Sequence, residues 1–463
     1  MPRSFVTSSS PSRRGFLAAV GAATFSVALS ACSGGNGSGG SGGSSTKPLS
    51  QADIDKAMKT PAELTFWTWV PNIEKEVALF QKKYPAIKVK VVNAGQGVAH
   101  YTKLRTAIKA GKGAPDLAQV EYQAIPTFTI TDSLLDLSPY GAADLKSEFV
   151  DWTWAQVSGS NGEIWAIPQD TGPLGMLYRQ DIFHKHGIKP PTTWDEFAAA
   201  ARKLHKADPG VYLTNLAANE AAAWHGLLWQ AGAHPYALSG KSDITIDVND
   251  AISKELGTYW GGLAKEGVIS TDPDFTDGWY AGLNKGRYAT WITAAWGPAF
   301  LSGSAKATAG KWRAAPLPQW DASSPVSGNW GGSTSAVIRS TKNPVAAAQF
   351  AQFLNSDPAS AKMFAAEQSF FPATKALLAD SSFTGATPSF YGGQKVNQVF
   401  AGISETVSDD FQWPPFLDQA ATDWTETVGK SLAGKTDSGA ALDAWQQRLT
   451  VYAKGQGFTV KSA

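Results

Sequence analysis

The sequence has little of several features that mark common enzyme and nucleic-acid-binding classes. Among 463 residues there is one cysteine, Cys32, which excludes an internal disulfide and a second thiol for catalysis. The six histidines form no His-Glu-x-x-His motif, and no phosphate-binding loop is present. A net charge of +1 provides no basic field for nucleic acid. Metalloproteases, cysteine enzymes, nucleotide hydrolases and nucleic-acid-binding proteins therefore have no support from these residues.

The first 31 residues have the composition of an export signal. Three arginines (Arg3, Arg13 and Arg14) and no acid are followed by an apolar stretch over 16–31. This stretch is diluted by Gly, Ser and Thr, whereas a spanning helix needs about 20 strongly apolar residues. We therefore expect a removable signal. The segment 12–17 resembles the twin-arginine export motif, although the general secretion route stays open.

The end of this signal resembles a bacterial lipobox. Leu29-Ser30-Ala31 precedes Cys32, and in a lipobox the cysteine is acylated and becomes the new N-terminus. The alternative is an ordinary cleaved signal with an incidental cysteine. Residues 33–46 contain only Ser, Gly, Asn and Thr, a composition typical of a flexible linker. We expect residues 32–60 to form a lipidated linker and lead-in, which would tether the protein to the outer face of the cell membrane.

The remaining chain has the composition of a globular body. It is 43% hydrophobic and 17% charged, and removing the three signal arginines lowers the net charge from +1 to −2. A body of this length is too large for one ordinary core and predicts two lobes or domains.

Residues 61–120 alternate between strand and helix patterns. Strands with period-two alternation or short apolar runs are expected at 64–69, 87–92 and 116–120. Helical spacing covers 72–84 and 100–110. This order predicts parallel βαβ units.

Further along the chain, three segments look like crossings between the lobes. They are Gln169–Pro173, Arg313–Pro318 and Phe370–Thr374. Between the first two, Thr193 to Glu196 forms a capping box that predicts a helix start. Trp194 and Trp445 lie in predicted helices and are expected in the core.

Tryptophan is abundant, with 18 residues. Many lie in Gly/Pro-rich stretches rather than in apolar periodic segments, including Trp67, Trp69, Trp296, Trp330 and Trp413. A flat ring with a polar N–H suits a ligand with an apolar face and polar edges, as sugars have. Any single tryptophan is more simply explained by packing, so the sugar hypothesis rests on the group.

The order of several loose motifs resembles the extracellular solute-binding proteins of bacterial ABC importers, in the carbohydrate-binding, maltose-binding-protein-like group. The resemblance covers essentially the whole chain after the linker. It is carried by segments 64–69, 113–117, 162–168, 176–179, 191–197, 284–291 and 329–333. Thr290 departs from the usual pattern, where an apolar residue is more common.

The resemblance implies an α/β fold of two lobes with the ligand in the cleft between them. We expect one lobe from 61–169 plus 315–370 and the other from 172–312 plus 371–463. Closure around a sugar or oligosaccharide would precede docking on the membrane permease. The resemblance implies a monomeric binding protein outside the cytoplasm, with no enzyme activity, cofactor or metal.

Three lines of reasoning select candidate ligand-binding residues. Ligands of parallel α/β sheets lie beyond the carboxyl ends of the strands, which selects Trp67, Trp69, Glu121 and Tyr122. The crossing segment adds Asp170, because a carboxylate accepts strong hydrogen bonds from hydroxyls. The resemblance adds Trp296 and Trp330 as stacking platforms, with glycines that would let backbone N–H groups approach the ligand. The remaining candidates are Gly331, Gly332, Ser333, Trp229, Trp279, Phe371 and Trp413.

Two other functions stay open. A binding protein for a peptide or polyamine would share the fold, although a polyamine site needs several acids in the cleft. A surface glycoside hydrolase needs two carboxylates at a set separation, and 39 acidic residues leave such a pair possible.

Overall fold

The computed structural model describes residues 47–461. The predicted export signal, the lipidation site at Cys32 and the linker lie outside the described residues. Between residues 47 and 461, no helix combines the length and apolarity needed to cross a membrane.

The described chain contains strands, α-helices and short 3-10 turns, with one π-helical turn at Thr425–Gly429. The strands are β1 (Ala62–Trp67), β2 (Ile87–Val92), β3 (Leu117–Glu121), β4 (Ile167–Pro168), β5 (Leu174–Arg179), β6 (Tyr236–Ser239), β7 (Asp243–Ile246), β8 (Thr290–Ala294), β9 (Trp312–Pro316), β10 (Ser333–Val337) and β11 (Thr459–Lys461). The 3-10 turns are Tyr122–Ala124, Ser138–Tyr140, Ala142–Glu148, Lys306–Thr308 and Ser389–Tyr391.

The helices flank these strands along the whole chain. They are α1 (Gln51–Met58), α2 (Glu74–Lys83), α3 (Gly97–Lys109), α4 (Ile125–Thr129), α5 (Asp151–Val157), α6 (Gln180–Lys185), α7 (Trp194–Ala207), α8 (Ala221–Gln230), α9 (Ala251–Glu266), α10 (Asp277–Lys285), α11 (Gly297–Ser304), α12 (Pro344–Ser356), α13 (Pro358–Glu367), α14 (Lys375–Leu378), α15 (Ser381–Thr384), α16 (Val396–Ser404), α17 (Leu417–Trp424), α18 (Lys430–Gly434) and α19 (Ser438–Gly455).

The first sheet has the strand order β2-β1-β3-β10-β4. Strand β1 pairs in parallel with both β2 and β3, so the predicted βαβ units are confirmed. Strand β10 follows β3 by more than 200 residues in the chain and pairs with it antiparallel. This pairing places Ser333 opposite Glu121. In β1, Leu64 and Phe66 are buried, as the alternation predicts.

The second sheet has the order β8-β5-β9, with β5 antiparallel to both neighbours. A third sheet, β11-β7-β6, combines a hairpin with the C-terminal strand, which pairs in parallel with β7. The N-cap that begins α7 is present, because the Thr193 hydroxyl accepts the N–H of Glu196 at 3.2 Å, and the Glu196 carboxylate accepts the N–H of Thr192 at 2.8 Å. Trp194 and Trp445 are buried, as predicted.

The first and second sheets are covered by separate hydrophobic cores. The first core contains Phe66, Phe80 and Phe350 around the five-stranded sheet. A second core contains Leu174 and a third contains Trp291, and both pack against the second sheet. The first core also takes in Val407, Phe411 and Trp413. This C-terminal segment joins the first core largely through α8, because Trp229 stacks on Phe411 at 4.5 Å and packs edge-on against Trp413.

Three chain segments lie side by side where the first sheet meets the second. The N–H of Gln169 donates to Ser333 O at 2.9 Å, the N–H of Thr171 to Phe371 O at 2.8 Å, and the N–H of Trp330 to Gly172 O at 2.8 Å. We call this set of segments (169–173, 329–333 and 370–372) the junction. The crossings expected at 169–173 and 370–374 pass through it. The one expected at 313–318 is wrong, because 312–316 forms β9 and the chain crosses only afterwards.

Candidate functional site

Asp170 is fixed inside the junction by hydrogen bonds from its surroundings. Its Oδ1 accepts the N–H of Ser333 at 3.0 Å and the Nε2–H of Gln169 at 3.2 Å. The residue is only 8% exposed, and burial raises the pKa of its carboxyl to about 7. Asp170 therefore joins two junction segments, and its charge is sensitive to pH near neutrality.

Glu121 ends β3 and faces a neighbouring helix. The Tyr101 hydroxyl, on α3, donates to Glu121 Oε2 at 2.8 Å and accepts the N–H of Glu121 at 3.0 Å. This reciprocal pair orients the carboxylate at the carboxyl end of the first sheet. Burial raises the pKa of Glu121.

A cavity of about 310 Å³ opens beside Glu121. Its walls come from the start of α3, the end of β3, the loop before α8, and α17. Glu220 enters from the loop before α8, where its Oε1 accepts the N–H of Ala222 at 3.2 Å. Burial, followed by the nearby charge of Glu121, raises the pKa of Glu220 to about 7. Two carboxylates carried by elements far apart in sequence thus meet at one cavity.

The acidic group extends toward Asp274. Its Oδ1 accepts Nδ2–H of Asn215 at 2.6 Å, and its N–H donates to Asn219 Oδ1 at 3.0 Å. Burial, followed by the charge of Glu220, raises the pKa of Asp274 to about 8. The free Oδ1 of Asn215 is buried without a hydrogen-bond partner in the described structure.

Aromatic rings continue from Asp274 toward the junction. Trp296 packs edge-on against Trp330 at 4.9 Å, and its Nε1–H donates to Trp330 O at 2.9 Å. Phe275 lies 6.4 Å from the Trp330 ring and 5.6 Å from that of Phe300. Phe275 and Phe300 are exposed and Trp296 is half-buried, so this cluster presents ring surface to solvent.

We name two parts of this region. The acidic end consists of Tyr101, Glu121, Gln123 and Glu220. The aromatic end consists of Phe275, Trp296, Phe300 and Trp330. Asp274 connects the two ends. The charge of Glu220 helps to raise the pKa of Asp274, and Asp274 directly precedes Phe275 in the chain. Together they form the candidate cleft.

Trp67 and Trp69 lie near the acidic end. Both are half-buried, and their rings pack edge-on around His100 at 6.2 and 5.1 Å. His100 is buried, its pKa is lowered to about 4 by burial, and its Nε2 lies 3.0 Å from Gln119 O. A neutral imidazole therefore holds these two tryptophans beside Tyr101.

Five of the candidate residues have no exposed face in this structure. They are Tyr122, Trp229, Trp279, Phe371 and Trp413. Tyr122 supports the junction from behind, because its hydroxyl donates to Asp170 O at 3.1 Å. Trp229 stacks on Phe411 at 4.5 Å. These contacts are packing contacts, so the structure does not bring these five side chains to the cleft surface.

The Gly-Gly-Ser segment of the junction serves close backbone packing. Gly332 has a φ of 87°, and a Cβ there would lie 2.8 Å from Asp170 O and from the Tyr122 ring. Gly331 also has a positive φ and lies against Trp296. The Ser333 side chain is buried and accepts the Nε2–H of Gln119 at 3.0 Å. The glycines thus let the junction segments approach one another.

The sequence interpretation missed Tyr101, Gln123, Glu220, Asp274, Phe275 and Phe300. Glu220 and Asp274 lie in loops, and only the fold brings them to Glu121. One local signal was available for Phe275, which follows Pro273-Asp274, a dipeptide typical of turns. Phe275 has a φ of 61°, a rare conformation for a bulky residue.

A π-helical turn lies at the far wall of the cavity. It separates α17 from α18 and includes Gly429, where a Cβ would lie 2.2 Å from Ala218 O. The glycine therefore lets the loop that carries Glu220 approach the helix closely. Such turns are often found at functional sites.

A larger cavity, about 690 Å³, lies between the end of α2 and helices α12 to α14. Two of its lysines are paired with acids, Lys362 with Asp380 at 2.8 Å and Lys375 with Asp151 at 2.8 Å, and Lys83 lies over the Tyr84 and Phe353 rings. We prefer the smaller cavity, because it lies at the strand ends and contains unpartnered buried oxygen. No group of three or more His, Cys, Asp or Glu in residues 47–461 is arranged to hold a metal ion.

Comparison with known proteins gives a consistent match. A profile of the bacterial extracellular solute-binding proteins matches residues 67–361. An arabinooligosaccharide-binding protein of Bacillus subtilis (strain 168) is 27% identical over 304 residues, which cover 63% of this chain and 68% of that protein.

Two solved structures are similar over most of the chain. One is an ABC-transporter-associated binding protein from B. animalis subsp. lactis Bl-04 in complex with β-1,6-galactobiose, with 33% identity and a TM-score of 0.74. It covers 87% of this chain and 100% of its own. The other is the galacto-N-biose-/lacto-N-biose I-binding protein from Bifidobacterium longum with lacto-N-biose, with 26% identity and a TM-score of 0.75. It covers 87% of this chain and 99% of its own.

Proposed function

Since the chain belongs to the family of bacterial extracellular solute-binding proteins, we propose that it captures a sugar or short oligosaccharide between two lobes and delivers it to the permease of an ABC importer. The lobes comprise 61–169 plus 315–370 and 172–312 plus 371–463. Two observations refine these bounds. Strand β9 keeps residues through Pro316 in the second sheet, and residues 407–413 pack in the first core.

One observation carries the proposal: both ends reach the junction, because Glu121 lies opposite Ser333 in the β3–β10 ladder and Trp330 is itself a junction residue. Hydroxyl groups donate to carboxylates, and charged acceptors make the stronger hydrogen bonds. The C–H faces of a sugar can lie on the exposed rings of Phe275, Trp296 and Phe300. The sugars bound by the related proteins support the same ligand class.

Ligand capture by closure requires contacts to both lobes, because a ligand shifts a conformational equilibrium only by its differential affinity. Glu121 belongs to the first sheet and Glu220 to the loop before α8, so one sugar at the cavity can touch both. Two ion pairs also join these parts: Arg105 to Asp418 at 2.9 Å and Lys241 to Asp132 at 2.6 Å. Both pairs are partly exposed and contribute little, which leaves the lobes free to open.

The proposal includes export and attachment at Cys32 to the outer face of the cell membrane. The replacement Cys32→Ser should release the protein from the membrane fraction and leave sugar binding unchanged. Fractionation with binding measured on both fractions checks this. A variant that stays membrane-bound would argue for a different anchor.

The family consists of binding proteins, and we propose that this chain is a monomer that does not hydrolyse its sugar. Incubation with oligosaccharides, followed by chromatography, directly tests whether the protein hydrolyses them. Shortened chains would favour the glycoside hydrolase alternative.

Thermal-shift screening of the purified full chain against sugars, peptides and polyamines tests the proposed ligand class. A ligand that binds only the folded state raises the melting temperature. We expect neutral mono- or oligosaccharides to raise it. A shift with peptides or polyamines and with no sugar would overturn the proposal.

A further inference from the structure

The free polar atoms at the acidic end are hydrogen-bond acceptors. Gln123 lines the cavity, is 8% exposed, and has an Oε1 without a partner in the described structure. Glu121 Oε2 accepts the Tyr101 hydroxyl and Glu220 Oε1 accepts the N–H of Ala222, and because a carboxylate can accept about four hydrogen bonds, each keeps spare acceptor capacity. The hydroxyl of Tyr101 is already committed to Glu121. Ligand groups that meet these oxygens must therefore be donors.

On the same surface, the positive charge is balanced by an adjacent acid. Among the described residues that line the cavity, Arg105 is the only lysine or arginine, and its guanidinium is paired with Asp418 at 2.9 Å. His225 also lines the cavity, but it is buried and burial lowers its pKa to about 4. The imidazole is therefore neutral at pH 7. Asp274 stands behind Glu220 and adds negative charge at higher pH.

The two acids lie close enough to affect each other. The charge of Glu121 contributes, after burial, to the raised pKa of Glu220. A third negative charge placed between them would meet repulsion that buried surroundings screen only weakly. Interfaces often obtain specificity from such repulsion as well as from attraction.

We propose that Glu121 and Glu220 form a charge filter, so that the cleft takes sugars presenting only hydroxyl or ammonium donors at this point and rejects sugars that carry a carboxylate or phosphate. This inference rests on the proposed function, because it specifies the sugar class that the same cleft accepts. Both filter residues are specificity-determining residues for binding.

Isothermal titration calorimetry with three matched sugars tests the filter. The probes are β-1,6-galactobiose or lacto-N-biose, whichever binds more tightly, its counterpart with a C6 carboxylate, and its counterpart with a 2-amino group. At pH 8 we expect the carboxylate to bind at least tenfold more weakly than the neutral sugar, and the amine at least as tightly. At pH 5.5 the carboxylate penalty should shrink, because protonation removes charge from Glu220.

Two variants assign the effect to these residues. Glu121→Gln and Glu220→Gln keep the oxygens that accept from Tyr101 and from the Ala222 N–H, so both should fold, as an unchanged melting temperature would show. Each should reduce the carboxylate penalty to about threefold or less. Glu255→Gln removes an exposed acid on α9 and should leave the penalty unchanged.

The outcomes are distinguishable. If the neutral sugar binds and the carboxylate binds within threefold of it at pH 8, the filter is overturned and the proposed function stands. A penalty that persists in both Gln variants also overturns the filter. If no neutral sugar binds, the proposed function fails and the filter fails with it.

Discussion

The acidic end and the aromatic end of the cleft are built in different ways. At the acidic end, Glu121 and Glu220 come from elements about 100 positions apart in the chain and are held by single hydrogen bonds from Tyr101 and a backbone N–H. At the aromatic end, rings pack on one another, and one indole N–H fixes Trp296 to the Trp330 carbonyl. Carboxylates provide directional, charge-sensitive recognition, whereas rings provide apolar area. The comparison teaches that affinity and selectivity should respond to different substitutions.

The largest effect is expected at the aromatic end. Trp296→Ala removes the half-buried ring and should weaken sugar binding by roughly 10- to 100-fold, because burying an aromatic side chain contributes about 1.5–3 kcal/mol and about 1.4 kcal/mol is a factor of ten. Titration calorimetry measures this. Trp296→Phe, which keeps a ring but loses the hydrogen bond to Trp330, is the control and should retain most of the affinity. If the alanine variant bound the sugar as tightly as the parent chain, the aromatic end would not be the source of affinity.

Asp170 is expected to affect stability more than affinity. Asp170→Ala leaves the N–H of Ser333 without its side-chain acceptor in a buried junction, which should cost about 1–3 kcal/mol of unfolding free energy. Urea denaturation measures the loss. Asp170→Asn keeps an oxygen acceptor and should recover most of it. If both variants unfold like the parent chain, the junction bond contributes nothing.

The buried acids predict that stability falls as pH rises from about 4 to about 8. Burial raises the pKa of Asp170 and Glu220 to about 7 and that of Asp274 to about 8. The folded state thus holds protons that the unfolded state has lost. Each group makes its full contribution to stability below its unfolded pKa, near 4. The contribution is lost as pH rises through the folded pKa, at up to about 1.4 kcal/mol per pH unit for each proton.

The buried histidines act in the opposite direction but at lower pH. His100 and His225 have pKa values lowered to about 4, so they reduce stability only as pH falls below about 6.5. Urea denaturation at pH 6.5, 7.2 and 8 should therefore show a decrease, and Asp274→Asn should lessen it. A flat or rising profile would contradict the assigned protonation states.

The smallest effect is expected at Phe275. Phe275→Gly removes a ring from the aromatic end and should weaken binding several-fold. Stability should change by less than about 1 kcal/mol, because relief of the positive φ offsets the entropy that glycine loses on folding. Calorimetry and urea denaturation measure the two quantities. Phe275→Leu keeps apolar volume and the strained backbone, so it should bind more tightly than the glycine variant.

Local sequence patterns predicted much of the first sheet. Alternation over 87–92 predicted β2 with the observed bounds, and the capping box predicted the start of α7. The third sheet was missed, because β11 is only three residues long and pairs with β7 more than 200 residues away. Such pairing depends on tertiary contacts that no local pattern records.

The site was harder to predict than the fold. The rule that ligands lie at strand ends selected Glu121, which lines the cavity. It also selected Tyr122, which begins the 3-10 turn after the strand and has its side chain buried in the core. Glu220 lies in a loop without a distinctive motif, and its proximity to Glu121 arises only when the two parts of the chain fold together.

The most direct test of the account is titration calorimetry of the full chain with β-1,6-galactobiose and lacto-N-biose, alongside Trp296→Ala and Glu220→Gln. The account predicts saturable binding of at least one neutral sugar at one site per chain, with affinity largely lost in Trp296→Ala and rejection of the carboxylated counterpart lost in Glu220→Gln. Binding of neither sugar, together with binding of a peptide or polyamine by the same chain, would contradict it.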